Sequence, residues 1–166
     1  MPILKPGTLE FVSHSAEQTV RLGQRLGELL RPGDVICLSG RLGAGKTAFA
    51  RGIGQGWGAV EPVTSPTFVL MHEHTRHADD QRLYHVDGYR LSGAVDALSF
   101  GLDELLAGNN PVLIEWPERV ADILPAERLW ISFAIQEGDR RQITFETAGG
   151  DYETLLEAYR RRTFGG

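Results

Sequence analysis

The sequence predicts a three-layer α/β domain, a sheet of mixed strand direction with helices on both faces and an antiparallel hairpin near the C-terminus. Three observations carry this expectation. Val35-Ile36-Cys37-Leu38 and Val112-Leu113-Ile114 are short, continuous apolar runs of the kind that form parallel strands buried on both faces. Segments of helical character alternate with such runs, which is the pattern of an α/β sheet. Leu129 to Ile135 and Gln142 to Thr147 then alternate in polarity across a turn at Gly138-Asp139, as antiparallel strands do.

Each element follows in order. Leu9 to Val12 is a candidate first strand. Ser15-Ala16-Glu17-Gln18 reads as a capping box, a serine followed three residues later by glutamine. Behind it Val20, Leu22, Leu26, Leu29 and Leu30 recur at roughly helical spacing until Arg31-Pro32-Gly33 stops the helix. Asp34 leads into the first apolar strand, a glycine loop follows, and a helix is expected from near Gly45 to about Gln55. Thr67 to His74 is expected as a strand, Thr75 to Gln81 as a polar loop, and Leu83-Tyr84-His85-Val86 as a strand ending at Asp87. Leu102 to Leu106 is expected to be helical and Asn109-Asn110-Pro111 to turn the chain. The apolar strand of Val112 to Ile114 ends at Glu115, and Asp151 to Arg162 forms a terminal helix. No internal repeat or long linker interrupts this order. Residues 1–166 are therefore expected to form one domain.

Composition narrows the function. Hydrophobic residues make up 42% and charged residues 23%, which suits a folded core and disfavours disordered or fibrous classes. The net charge is −5 with no basic tract, which disfavours direct, tight binding to nucleic acid through phosphate contacts. Cys37 is the single cysteine, so neither an internal disulfide nor a thiol zinc cluster is available; it reads as a small buried hydrophobe. Met1 to Pro6 lacks the apolar core of a signal peptide, and no segment approaches a membrane span. A cytoplasmic protein without membrane contact is expected.

Gly40-x-x-x-x-Gly45-Lys46-Thr47 matches the P-loop pattern in full, between an apolar strand and a helix as that pattern requires. A phosphate needs positive donors without steric bulk. Gly43 and Gly45 let backbone N–H groups of Leu42 to Ala48 turn inward as an anion nest, and the helix N-terminus adds about half a positive charge. Lys46 would reach the β- and γ-phosphates and the Thr47 hydroxyl would ligate magnesium. The chain has only two lysines, and one stands where the motif needs it. The expected ligand is a magnesium–nucleoside triphosphate.

Such a loop needs an acid at the end of a neighbouring strand, to hold the metal or its water. Asp87 and Glu115 both qualify, because α/β sites form at strand C-termini. The bland readings are a helix cap for Asp87 and a solvated strand end for Glu115. Which acid takes which role is left open by the pattern. His72, His74, His77 and His85 lack the converging partners of a zinc site and read as ordinary polar histidines. Trp116-Pro117 reads either as core packing or as an aromatic wall beside the nucleotide. Arg140-Arg141 reads as a solvated turn or as a clamp on the nucleotide.

Four blocks in order, Leu42-Gly43-Ala44-Gly45-Lys46-Thr47, Thr64-Ser65-Pro66-Thr67-Phe68, His85-Val86-Asp87-Gly88-Tyr89-Arg90 and Glu115-Trp116-Pro117, give the chain a close resemblance to the TsaE (YjeE) family from about Ser15 to Thr147. The resemblance implies a slow ATPase that acts with the TsaB–TsaD pair to place threonylcarbamoyl on adenosine 37 of tRNA, meeting tRNA only through those proteins. It implies ATP and Mg2+ as ligands, with Thr47 and Glu115 similar to magnesium ligands and Asp87 to a second functional acid near the metal. Thr64, Ser65, Pro66 and Thr67 resemble a switch loop facing the γ-phosphate, and Tyr89, Arg90 and Trp116 flank the same region. Ser15, Ala16 and Arg140 resemble positions near the base and ribose. Two departures stand out. Ala48 replaces a frequent threonine, which removes a hydroxyl contact to the α-phosphate and leaves the backbone N–H. Arg41 stands where an acid is frequent. Neither alters a γ-phosphate or metal ligand, so the implied reaction class is unchanged.

Two other functions compete. In a small-molecule kinase, Arg76, Arg82 and Arg90 would clamp a phosphorylated acceptor, yet the Thr75–Gln81 loop is short for a lid and carries Asp79-Asp80. A GTP switch needs a guanine-reading Asn-Lys-x-Asp loop, whose lysine this chain lacks.

Overall fold

A computed structural model gives the fold and describes residues 7–64 and 71–165. The strands are β1 (Thr8–Ser13), β2 (Val35–Gly40), β3 (Met71–Thr75), β4 (Arg82–Asp87), β5 (Val112–Glu115), β6 (Arg128–Ile135) and β7 (Arg141–Ala148). The helices are α1 (Ala16–Gly27), α2 (Lys46–Trp57), α3 (Ala94–Ser99), α4 (Leu102–Leu106) and α5 (Tyr152–Phe164), with 3-10 turns at Gly88–Arg90 and Pro117–Ile123. They form a seven-stranded sheet in the order β1-β7-β6-β2-β5-β4-β3. Strands β6, β2, β5 and β4 run parallel in the middle, while the β6–β7, β7–β1 and β3–β4 pairs are antiparallel.

The period-two alternation of β2 divides the core into two layers. Ile36 and Leu38 face α1, α2 and α5 in one cluster, whereas Val35 and Cys37 face Ala97 of α3, Leu102 of α4 and Val120 in the other. Helices thus cover both faces, and the three-layer mixed sheet with its late hairpin is as expected. Cys37 is fully buried, and that burial pushes its thiol pKa up to about 12, so it stays an inert packing group. Among the described residues, no helix is long and apolar enough to cross a membrane.

Helices α1 and α2 pack at very close range. A Cβ placed on Gly23 or Gly27 would overlap the carbonyl oxygens of Phe49 or Ile53, and one on Gly52 or Gly56 would overlap those of Val20 or Gln24. Glycines on both partners let the two backbones touch, and this fixes α2, whose first turn carries Lys46 and Thr47.

The capping box forms, with a variation. Ser15 accepts a hydrogen bond from the Gln18 N–H at 3.1 Å, while Gln18 Oε1 accepts from the His14 N–H at 2.7 Å, one residue before the cap. Helix α1 stops at Gly27, ahead of the expected breaker at Arg31-Pro32-Gly33. Leu29 and Leu30 belong to tighter turns, donating to the carbonyls of Leu26 and Gly27, yet still pack on the core. Their apolar spacing therefore outlasts the helix. Helix α3 escapes a pattern reading because Val95 and Leu98 are exposed and present no apolar stripe. Of the strand expected over Thr67 to His74, the described part is Met71 onward, and residues 65–70 lie outside the described residues.

Candidate functional site

The loop between β2 and α2 is shaped by its glycines. Gly43 has φ +80° and Gly45 has φ +106°, the left-handed region that side chains avoid, and Gly45 is the N-cap of α2. The chain thus leaves β2, reverses, and sets the N-terminus of α2 at a cavity of about 510 Å³. Leu42, Gly43, Gly45, Lys46, Thr47 and Ala48 line one side of it; Asp87, Tyr89, Arg90, Glu115 and Trp116 line the other.

The second wall comes from two adjacent strand ends. Parallel pairing of β4 with β5 sets Asp87 opposite Glu115, and pairing of β5 with β2 sets Glu115 opposite Leu38. Both acids therefore end neighbouring strands beside the glycine loop. Asp87 also caps the following 3-10 turn, accepting from the Tyr89 N–H at 3.0 Å, so capping and cavity lining coexist in one carboxylate. Gly88 makes the junction possible, since a Cβ there would press into the carbonyl oxygens of Glu115 and Trp116.

Lys46 is only 4% exposed. Its ammonium donates to the Gly40 carbonyl and lies 3.5 Å from the centre of the Trp116 ring. Burial pulls its pKa below the usual lysine value, against the opposing pull of Glu115, Glu118 and Asp87. Among the described residues no carboxylate forms an ion pair with it. A buried cation held by a carbonyl and an aromatic face leaves charge for an arriving anion to balance. Trp116 adopts φ 57° and ψ 52°, making it the one non-glycine residue with positive φ among those described. That turn, directly after β5, lays its ring over Lys46 and 5.1 Å from the Tyr89 ring. Trp116 is thus an aromatic wall of the cavity, stabilised by its N–H bond to the Leu38 carbonyl at 3.2 Å.

Other expected positions lie apart from this cavity. Ala44 is buried beneath the loop. Ser15 caps α1, and Ala16 lines a separate shallow groove of about 390 Å³ with Arg21 and Arg51. Arg140 is exposed in the hairpin turn. It is Arg141 that reaches the loop, donating through Nε and Nη2 to the Gly43 carbonyl at 3.2 and 3.1 Å. Thr64 is exposed and does not line the cavity, and Ser65, Pro66 and Thr67 lie outside the described residues. Of the arginines that a kinase reading requires, Arg76 pairs with Asp79 at 2.6 Å and Arg82 with Glu73 at 3.4 Å, and neither lines the cavity. His85 corrects the reading of the histidines as ordinary polar residues. It is fully buried, with Nε2 2.5 Å from Glu115 Oε2. Its place two residues before Asp87 was the only hint in the sequence.

The fold and the loop together define a protein of the P-loop NTPase-like class. Residues 13–143 match the family described as threonylcarbamoyl adenosine biosynthesis protein TsaE. The TsaE protein of Bacillus subtilis is 37% identical over 92% of this chain and 94% of its own length, and that of Treponema pallidum 41% identical over 82% and 98%. The crystal structure of Bacillus subtilis YdiB has a TM-score of 0.81 with 34% identity, covering 94% of this chain and 96% of that one. The chain belongs to the TsaE family, whose curated members are named for tRNA threonylcarbamoyladenosine biosynthesis.

Proposed function

We propose that the chain binds and hydrolyses ATP with magnesium in this cavity, slowly by itself, as the ATPase component of the cytoplasmic machinery that installs threonylcarbamoyl on adenosine 37 of tRNA. The observation that carries the reading is the meeting of Lys46 and Thr47, from the first turn of α2, with Asp87 and Glu115 from two adjacent strand ends in one cavity. The residues fit the ligands. The backbone nest and Lys46 suit the phosphates, and Lys46 has no carboxylate ion-pair partner among the described residues. Among those residues no group of three or more histidines, cysteines or acids could hold a metal. Two carboxylates and a hydroxyl suit magnesium instead, which commonly takes one or two carboxylates, phosphate oxygens and water. When bound, the metal would neutralise charge on the phosphate oxygens.

Thr47 and Glu115 would hold that metal, and Asp87, at the rim of the second wall, would orient the attacking water or assist at the metal. Leu42 to Ala48 would cradle the phosphates through backbone N–H groups, Ala44 excepted, whose N–H donates to the Arg41 carbonyl at 3.1 Å. The net charge of −5 supports docking on a TsaB–TsaD-like protein pair, with tRNA held by those partners. The test is phosphate release from ATP, measured with and without that pair. A low rate alone, raised when the pair is present, is expected; no hydrolysis in either case overturns the proposal. Transfer of phosphate to a small acceptor without the pair would favour a kinase.

The two acids should separate. Glu115→Ala is expected to raise the magnesium concentration needed for nucleotide binding by more than about tenfold, the loss of roughly 1.4 kcal/mol of binding. Asp87→Ala is expected to bind ATP but lose about 10²–10⁴ in turnover, the usual contribution of a positioned acid–base group. A fluorescent ATP analogue titrated with and without magnesium distinguishes them. The assignment fails if Asp87→Ala loses the magnesium dependence and Glu115→Ala keeps it.

A further inference from the structure

His85 reaches Glu115 across thirty positions of sequence, from β4 to the end of β5. It is 0% exposed and flanked in register by His72 on β3 and Leu113 on β5. Nε2 stands 2.5 Å from Glu115 Oε2. An ionised carboxylate only accepts hydrogen bonds, so a contact this short requires the proton on Nε2. With the proton on Nδ1 instead, two lone pairs would face each other. The other nitrogen, Nδ1, is buried and has no hydrogen-bond partner among the described residues. An N–H placed there would be a buried donor without an acceptor, whereas a bare acceptor is the lesser cost. Geometry therefore favours the arrangement in which Nε2–H is donated to Glu115.

We infer that His85 is a positioning residue that ties Oε2 of Glu115 and so presents the other carboxylate oxygen to the cavity that Glu115 lines. This rests on the proposed role of Glu115 as a magnesium ligand. A glutamate at a strand end has three rotatable side-chain bonds, and fixing one oxygen removes that freedom before the metal arrives. Groups that hold a metal ligand in this way typically change metal affinity by about 10–100-fold when removed.

The experiment compares His85→Gln, whose amide nitrogen can stand near the Nε2 position, with His85→Asn, whose shorter amide falls near Nδ1 and cannot reach Glu115. Binding of a fluorescent ATP analogue is titrated against magnesium, and again in EDTA, with thermal melting to establish that each variant is folded. Expected is a rise of about 10–100-fold in half-saturating magnesium for His85→Asn. His85→Gln should stay near wild type, and binding in EDTA should be equal for all three. In the unliganded wild type, nitrogen NMR of labelled histidine should show His85 as the Nε2–H tautomer, a requirement that can fail even if both variants do not fold. A folded His85→Asn with wild-type magnesium dependence, or an Nδ1–H tautomer, overturns the inference alone. Nucleotide binding by the wild type that is indifferent to magnesium overturns the functional reading and this inference with it.

Discussion

Lys46→Ala should lose about 10²–10³ in ATP turnover, the effect of removing one preorganised donor from a charged transition state. The loss should fall on the rate, since the backbone nest of Leu42 to Ala48 remains to hold the phosphates. Thr47→Ala should act on the same step through the metal. Stability should change little. The buried ammonium gives up its bond to the Gly40 carbonyl and its contact with the Trp116 ring, but removing it also relieves the desolvation that lowers its pKa. These opposing terms are each on the order of 1–2 kcal/mol, so the melting temperature should stay within a few degrees of wild type. The measurements are steady-state phosphate release and thermal melting on the same preparations. Near-normal turnover in Lys46→Ala would falsify the assignment of the loop.

The second large effect is expected far from the cavity, at the contact of α1 with α2. Gly52→Val places a branched side chain where even a Cβ would overlap the Val20 carbonyl oxygen. Backbone cannot move aside as a side-chain tip can, so the helices must separate. Overpacking of this kind costs about 1–3 kcal/mol and more when it meets backbone. For a chain of this size that is a fall in melting temperature of roughly 2–12 °C. Gly52→Ala should show a smaller fall, because alanine regains up to about 1 kcal/mol of helix propensity. Gly108→Ala is the control, since a Cβ there meets only ordinary contacts at 3.4 and 3.5 Å; it should lie within about 0.5 kcal/mol of wild type. Separation of the helices also displaces Lys46 and Thr47 at the start of α2, so nucleotide binding should weaken along with stability. A Gly52→Val protein that melts like wild type would mean that the helices do not touch as described.

The sequence alone determined those parts of the protein whose partners are close along the chain. The glycine loop was legible because strand, nest, lysine and hydroxyl occupy one continuous stretch, Val35 to Thr47, and local backbone chemistry shapes it. The capping box at Ser15 and the hairpin turn at Gly138-Asp139 were legible for the same reason. Asp87 and Glu115 were legible as acids ending apolar strands, and no further. That they stand side by side follows from the parallel register of β4 with β5, and strand partners are chosen by the packing of whole faces, which no local pattern encodes.

Only the tertiary structure decided three further points. Arg141, not its neighbour Arg140, meets the loop, because β7 begins at Arg141 and one residue of strand phase reverses the direction of a side chain. The glycines of α1 and α2 acquire a purpose only when the two helices are laid against each other. His85 is polar in sequence and buried in the fold, and the carboxylate it meets at 2.5 Å comes from a different strand thirty residues later. Side chains near in sequence are constrained by the chain itself; those that meet across the sheet are brought together by the burial of apolar faces, and that depends on every strand at once.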